Sequence, residues 1–433
     1  MANVYLLALC LLLALALAAV LLQPARIYQY SYFMAAGFGI FIMPQVVSLI
    51  RFPGGISSAE LEAVLFMTCL CFVACLLSAR LPIMDRIAGR RPRPVSEHRL
   101  FHAGIALTVI GYVADHFQTS AAQALGGGPW TGSVTIYNFF ASLVIPAFAI
   151  ALRTALLRGG VLPWLVTAAA AWPSVEAAVF FGRREVTVGL IVIVGITWFY
   201  QRRVAPPRTF IVAGLLFAMV MIPATGTYRS LARASGLSAF AQLDLVGNFQ
   251  TYLDEASILE LRNAAVLIDA TSFSDLYQFG TGYWDQLVWR FVPAQFLGAD
   301  LKGSLMFQWS EPDLDIALAQ RNYHMPTGST VTGIGDAFLQ FGYFGSLFFL
   351  VLGVFVRSLW VASLRPSAIF AQLLYVCTVT SAIRAITHQT VDYLPGLIFY
   401  VIFLGTAVWY ARSGPIVSFE PPSRSRGARV QRI

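Results

Sequence analysis

Eleven stretches of this chain run for about twenty residues with hardly a charge, and nothing else in the sequence constrains its fold so tightly. A helix of about 20 apolar residues matches the ~30 Å hydrocarbon core of a bilayer. Lipid offers the backbone no hydrogen-bond partner, so a spanning segment outside a β-barrel must be an α-helix. The runs lie at 2–23, 29–50, 60–79, 100–120, 134–157, 161–182, 186–201, 209–227, 337–358, 367–386 and 390–411. They predict an all-α polytopic membrane protein of about eleven spans, eight in residues 1–227 and three in 337–411. Composition agrees, because only 12% of residues are charged, against about a quarter in soluble domains. The first run lacks a basic leader, and its apolar core of about 20 residues exceeds that of a secretory signal. It is read as a retained helix.

Lys and Arg orient the spans, since cytoplasmic loops collect them. With the N-terminus outside, nineteen of the 29 basic residues fall on the inner side, against three acids there: Asp85, Glu97 and Glu420. Every inner connection then carries an arginine, which predicts an odd number of spans, N-terminus out and C-terminus in. The basic stretches GRRPRP (89–94) and SRSRGARVQR (423–432) read as anchors to anionic lipid rather than as nucleic-acid sites. The second belongs to a basic cytoplasmic tail, 412–433. The five cysteines sit in apolar runs and read as buried thiols, without a disulfide framework or a metal site.

One long segment, 228–336, is not a span, and it falls on the outer side. It holds an amphipathic run (243–270), an aromatic stretch (277–296) and a polar stretch (308–333), without strand-like alternation. It predicts a helical extracytoplasmic loop.

Charges buried in or against a bilayer are expensive and usually serve a cavity or a partner. Arg183 and Arg184 interrupt two apolar runs on the outer side, where basic residues are disfavoured. Glu176, Asp115, His116, Arg384, His388 and Asp392 lie near the same ends of their spans. Snorkelling to headgroups and simple helix pairing would account for such residues singly. Together they predict a polar pocket opening outward beneath the 228–336 loop. Arginine keeps its charge and grips phosphate oxygens bidentately, so a lipid-linked pyrophosphate is the expected ligand. Arg183, Arg184 and Arg384 are the first candidates to contact it, and Arg229 and Arg290 the second. Tyr283, Trp284 and Trp289 are candidates for stacking on sugar rings, and Asp336 or His324 for the general base. No cofactor and no metal are expected.

Four stretches resemble Wzy-type polymerases of O-antigen and exopolysaccharide repeat units. They are GRREVTVGLIVIV (182–194), MIPATGTYR (221–229), WRFVPAQFLGADLKG (289–303) and GSTVTGIGDAFLQFGYFGSLFFLVLGVFVRSLW (328–360). The chain departs from that pattern at Gln340, where asparagine is typical, and at Gly303, where proline usually follows the lysine. The resemblance implies a GT-C-like glycosyltransferase of the bacterial inner membrane with its site facing the periplasm. Such an enzyme moves a glycan from polyprenyl pyrophosphate onto an incoming lipid-linked repeat unit, without a nucleotide sugar. The resemblance also implies a chain-length regulator and a flippase as partners, and no nucleic acid. An O-antigen ligase and a lipid-linked oligosaccharide transporter are the alternatives.

Overall fold

The computed structural model describes residues 1–82, 94–125, 134–254, 259–308, 311–326 and 329–412. The tail 413–433 and most of the GRRPRP stretch lie outside the described residues. Every regular element among the described residues is helical. The first eight long helices are α1 (Ala2–Leu22), α2 (Tyr30–Arg51), α3 (Ser58–Ser78), α4 (Glu97–Leu125), α5 (Val134–Arg158), α6 (Val161–Val179), α7 (Arg184–Arg202) and α8 (Arg208–Ser235). Shorter helices follow: α9 (Leu245–Asp254), α10 (Glu260–Ser274), α11 (Thr281–Phe291) and α12 (Glu311–Gln320), with brief helical turns between them. Three long ones close the chain: α13 (Thr332–Ser363, broken by a tight turn at Gly342–Ser346), α14 (Ile369–Thr387) and α15 (Thr390–Arg412).

Nine of these helices are both long and apolar enough to cross a membrane. The protein is thus a helical, multi-pass membrane protein. The two expected spans outside that nine are α6 and α7, each of 19 residues, or about 28 Å. Their apolarity is diluted by Glu176, and by Arg184, Glu185 and Arg202. The α7 helix is also longer than its apolar run of 186–201, because it starts on the charged residues themselves. Arg183 is its N-cap and Arg184 its first residue.

Local chemistry sets several helix ends. Ser57 and Glu60 form a reciprocal capping box at the start of α3. Arg203 ends α7 in the left-handed conformation, and its guanidinium reaches the Leu364 carbonyl at 2.6 Å. At the same pole Arg153 pairs bidentately with Glu97 (Nη2–Oε1 2.9 Å), and Ser96 N–H donates to Ala411 O. The starts of α7 and α15 and the end of α14 gather at the opposite pole, with α10 and α11 against them.

The buried axis is α14, whose Leu373, Leu374, Tyr375, Val376, Cys377, Ala382 and Ala385 are enclosed. Helix α13 comes close to it at Gly333, where a Cβ would lie 1.7 Å from the Ala385 carbonyl oxygen. No other residue fits that approach. Large apolar side chains stay exposed on α1 (Leu7, Leu11, Leu15) and α8 (Phe210, Leu216, Phe217), as lipid-facing surface requires. Cys71, Cys75 and Cys377 are buried as expected; Cys10 instead lies exposed on α1, and Cys69 is half-buried.

Between α8 and α13 the chain is packed rather than loose. In α10, Leu261, Ala264, Ala265, Leu267 and Ile268 are buried. Asn263 donates to Ser329 Oγ and to the Thr330 carbonyl at 2.8 Å each, tying α10 to the approach of α13. Asp285 accepts from the backbone N–H of Phe307 (2.7 Å) and Gln308 (2.8 Å), folding the aromatic stretch back on itself.

Candidate functional site

The turn from α6 to α7 brings the arginine pair into position. Gly182 has φ +56°, and a Cβ there would press against Arg229 and Tyr228 at 3.0 Å. A left-handed, tightly covered position of this kind favours glycine. The end of α8 clamps the turn: Tyr228 Oη donates to the Val179 carbonyl, and Arg229 Nε to the Gly182 carbonyl at 3.2 Å. Arg183 is exposed, and no described acid pairs with it. Arg184 turns inward, donating from Nη2 to Glu260 Oε1 at 3.0 Å, with its guanidinium 5.6 Å from the Phe41 ring. Gln45 holds Glu260 in place, because its Oε1 accepts from Leu261 N at 2.8 Å at the start of α10.

Two hollows flank this turn and share Glu185. The first, about 380 Å³, is lined by Arg183, Arg184, Arg229, Glu185, Glu260 and His388, with apolar walls from α2, α8 and α14. The second, about 330 Å³, holds Arg290, Arg384, Asp392, Gln286 and Trp289 among a set of hydroxyls. Arg384 spans the boundary: its Nε lies 3.0 Å from Glu185 Oε1, and its Nη2 lies 3.7 Å from Asp392 Oδ2. His388 Nε2 approaches the other Glu185 oxygen at 3.9 Å, and its Nδ1 lies 2.9 Å from Thr387 Oγ1.

All five candidate arginines therefore line these hollows, three in one and two in the other. The candidate bases do not. Asp336 is buried, and its Oδ2 accepts from Thr390 N (2.7 Å), Thr390 Oγ1 and Val391 N (3.2 Å). It caps the start of α15 from across the fold. His324 is exposed between α12 and α13 and lines neither hollow. The aromatic trio also disperses. Tyr283 bonds Thr390 Oγ1 (2.9 Å) and stacks on Phe348, while Trp284 donates to the Leu305 carbonyl (2.8 Å). Only Trp289 reaches a hollow.

Three residues with no role in the sequence reading complete the site: Glu185, Glu260 and Gln286. Glu185 adjoins the arginine pair in sequence, which was its only signal. Glu260 and Gln286 come from the 228–336 segment, expected above the pocket, but no periodicity says which of its residues reach it.

Partial burial lowers the His388 imidazole below its ordinary value; the Glu185 carboxylate opposes this and the Arg384 cation reinforces it. The ring is thus neutral at pH 7, with a lone pair to take a proton. Burial, with the Arg384 charge, also lowers Arg290, whose guanidinium nonetheless stays charged. No group of three metal-ligating side chains occurs among the described residues. The chain matches no family model, no curated protein and no solved structure.

Proposed function

We propose that this protein is a GT-C-like membrane glycosyltransferase, a polymerase working on polyprenyl-pyrophosphate-linked glycans at the outer face of the bacterial inner membrane. One observation carries the reading: five guanidinium groups converge on two adjoining hollows with apolar walls, at the pole bearing the 228–336 segment. Cationic donors beside apolar surface suit a diphosphate joined to a long hydrocarbon. The diphosphate is also a leaving group, so arginines held at its oxygens stabilise charge as it develops.

In this reading the bond from the anomeric carbon to the diphosphate oxygen breaks, and the electron pair leaves with the diphosphate. A hydroxyl of the acceptor sugar forms the new bond to that carbon and gives its proton to His388 Nε2. His388 replaces Asp336 and His324 as the proposed base, because it alone of the three lines a hollow, with Thr387 Oγ1 2.9 Å from Nδ1 to orient the ring and leave Nε2 to take the proton.

Purified protein in lipid nanodiscs, given polyprenyl-diphosphate-linked repeat units, is expected to produce a ladder of lengthening glycans. Arg183→Ala should slow the ladder about a hundredfold, the scale of losing one transition-state donor. Arg184 is tested as Arg184→Gln with Glu260→Gln, since removing one partner alone strands a buried charge. Full-rate polymer from both variants overturns the reading. Transfer to a lipid A core, without chain growth, identifies a ligase. Passage of the lipid across the bilayer with no new bond identifies a transporter.

A further inference from the structure

We infer that the two hollows divide the substrates: the first binds the donor's lipid diphosphate, and the second binds the acceptor's terminal sugar as a neutral, hydroxyl-rich ring. The inference rests on the transferase reading and deepens it.

Charge makes the division. Glu185 stands in both walls and is counted once, with the Arg384 it pairs at 3.0 Å; the first hollow then sets three guanidinium groups against Glu260, with His388 uncharged, so cation is in excess. In the second, two guanidinium groups face two carboxylates, and the charges balance. A diphosphate diester carries about two negative charges, and it settles where cations exceed anions. Arg183 strengthens the difference, since no described acid neutralises it.

The walls point the same way. Around the first hollow stand Phe33, Met34, Ile40, Ile222, Ile383 and Ile386, from helices that span the bilayer. An isoprenoid tail can leave along such a surface into lipid. The second hollow has apolar side chains too, Ile145, Phe148, Leu190 and Phe399 among them, but it adds the hydroxyls of Ser142, Ser174, Thr380, Ser381 and Tyr400, the Gln286 amide and the Trp289 ring. Hydroxyls, an amide and one aromatic face are what a neutral sugar engages by hydrogen bonds and by its apolar ring face. Glu185 forms the wall common to both, holding Arg384 at 3.0 Å on one side and His388 at 3.9 Å on the other. The acceptor hydroxyl and the anomeric carbon would meet across it.

Two probes separate the sites. Farnesyl diphosphate reports the donor hollow by equilibrium binding. A repeat unit on a plain alkyl chain lacks a diphosphate and can serve only as acceptor, so its KM reports the second hollow. Arg183→Ala should weaken farnesyl diphosphate at least tenfold, and Arg183→Glu more, with the acceptor KM within twofold of wild type. Trp289→Ala, and the hollow-filling Ser174→Phe, should raise the acceptor KM at least tenfold and leave farnesyl diphosphate within twofold. Two substitutions on different helices guard against one that fails to fold. The reverse pattern, or both constants moving together in either set, overturns the division while leaving the transferase intact. Wild-type protein that transfers no glycan overturns the transferase reading and the acceptor assignment with it. Farnesyl diphosphate binding that ignores Arg183 then overturns the donor assignment as well.

Discussion

Glu185 touches both Arg384 and His388, so its removal has two separable effects. The imidazole sits below its ordinary value chiefly through burial, and Glu185 is the largest influence raising it. A base must be neutral to act, so turnover should be flat at neutral pH and fall as acid protonates His388, with the midpoint below ~6.5. Replacing Glu185 with Gln removes the raising influence, so the acid limb should move to still lower pH. Arg184, Arg384 and Asp392 also face the ring, and their charges persist in that variant. A pH–rate profile of Glu185→Gln overlying that of wild type would show that His388 is not the titrating base. The arginines were legible from sequence because charge on the wrong side of a membrane is conspicuous. Glu260 was not, because an acid in a polar loop looks ordinary until the fold sets it beside a cation.

At the level of elements, the spans could be read from hydropathy because lipid imposes one rule on all of them. The exceptions have a physical origin. The α7 helix outran its apolar run, since Arg184 and Glu185 extend the backbone helix at its start while their side chains line the hollow. Asp336, a candidate base by its sequence, instead serves the start of α15, 54 residues further on, a partner that spacing along the chain cannot reveal. Asp336→Ala leaves the Thr390 and Val391 N–H groups buried without an acceptor, a cost of about 1–3 kcal/mol each. The expected outcome is a lower melting temperature in detergent, with farnesyl diphosphate affinity within twofold at temperatures where the variant is folded. Unchanged melting would mean that another group supplies the cap.

For the molecule as a whole, helix ends sort into two poles, and the contacts between neighbours agree with that sorting. Glu97, Arg153 and Ala411 meet at one, and Glu260, Arg184, Glu185 and Arg384 at the other. The distribution of arginine predicts which pole faces out. A cysteine at Phe273, 80% exposed on α10, should react with a membrane-impermeant maleimide in cells whose outer barrier is opened. Labelling only after the inner membrane is breached would invert the orientation and move the proposed site to the cytoplasm. That 228–336 covers the pocket was expected from the sequence; which of its residues reach the spans was not, because apolar residues mark a buried face without naming what buries it.

One consequence belongs to α8. It carries Arg229 and the Tyr228 clamp at one end, yet only 11% of its most apolar stretch is buried, and Pro223 interrupts its hydrogen bonding near that end. A helix that leans on lipid more than on protein takes its tilt from membrane thickness. Acyl-chain length would then tune the width of the first hollow, and growth temperature, by changing those chains, would reach the proposed site without any messenger.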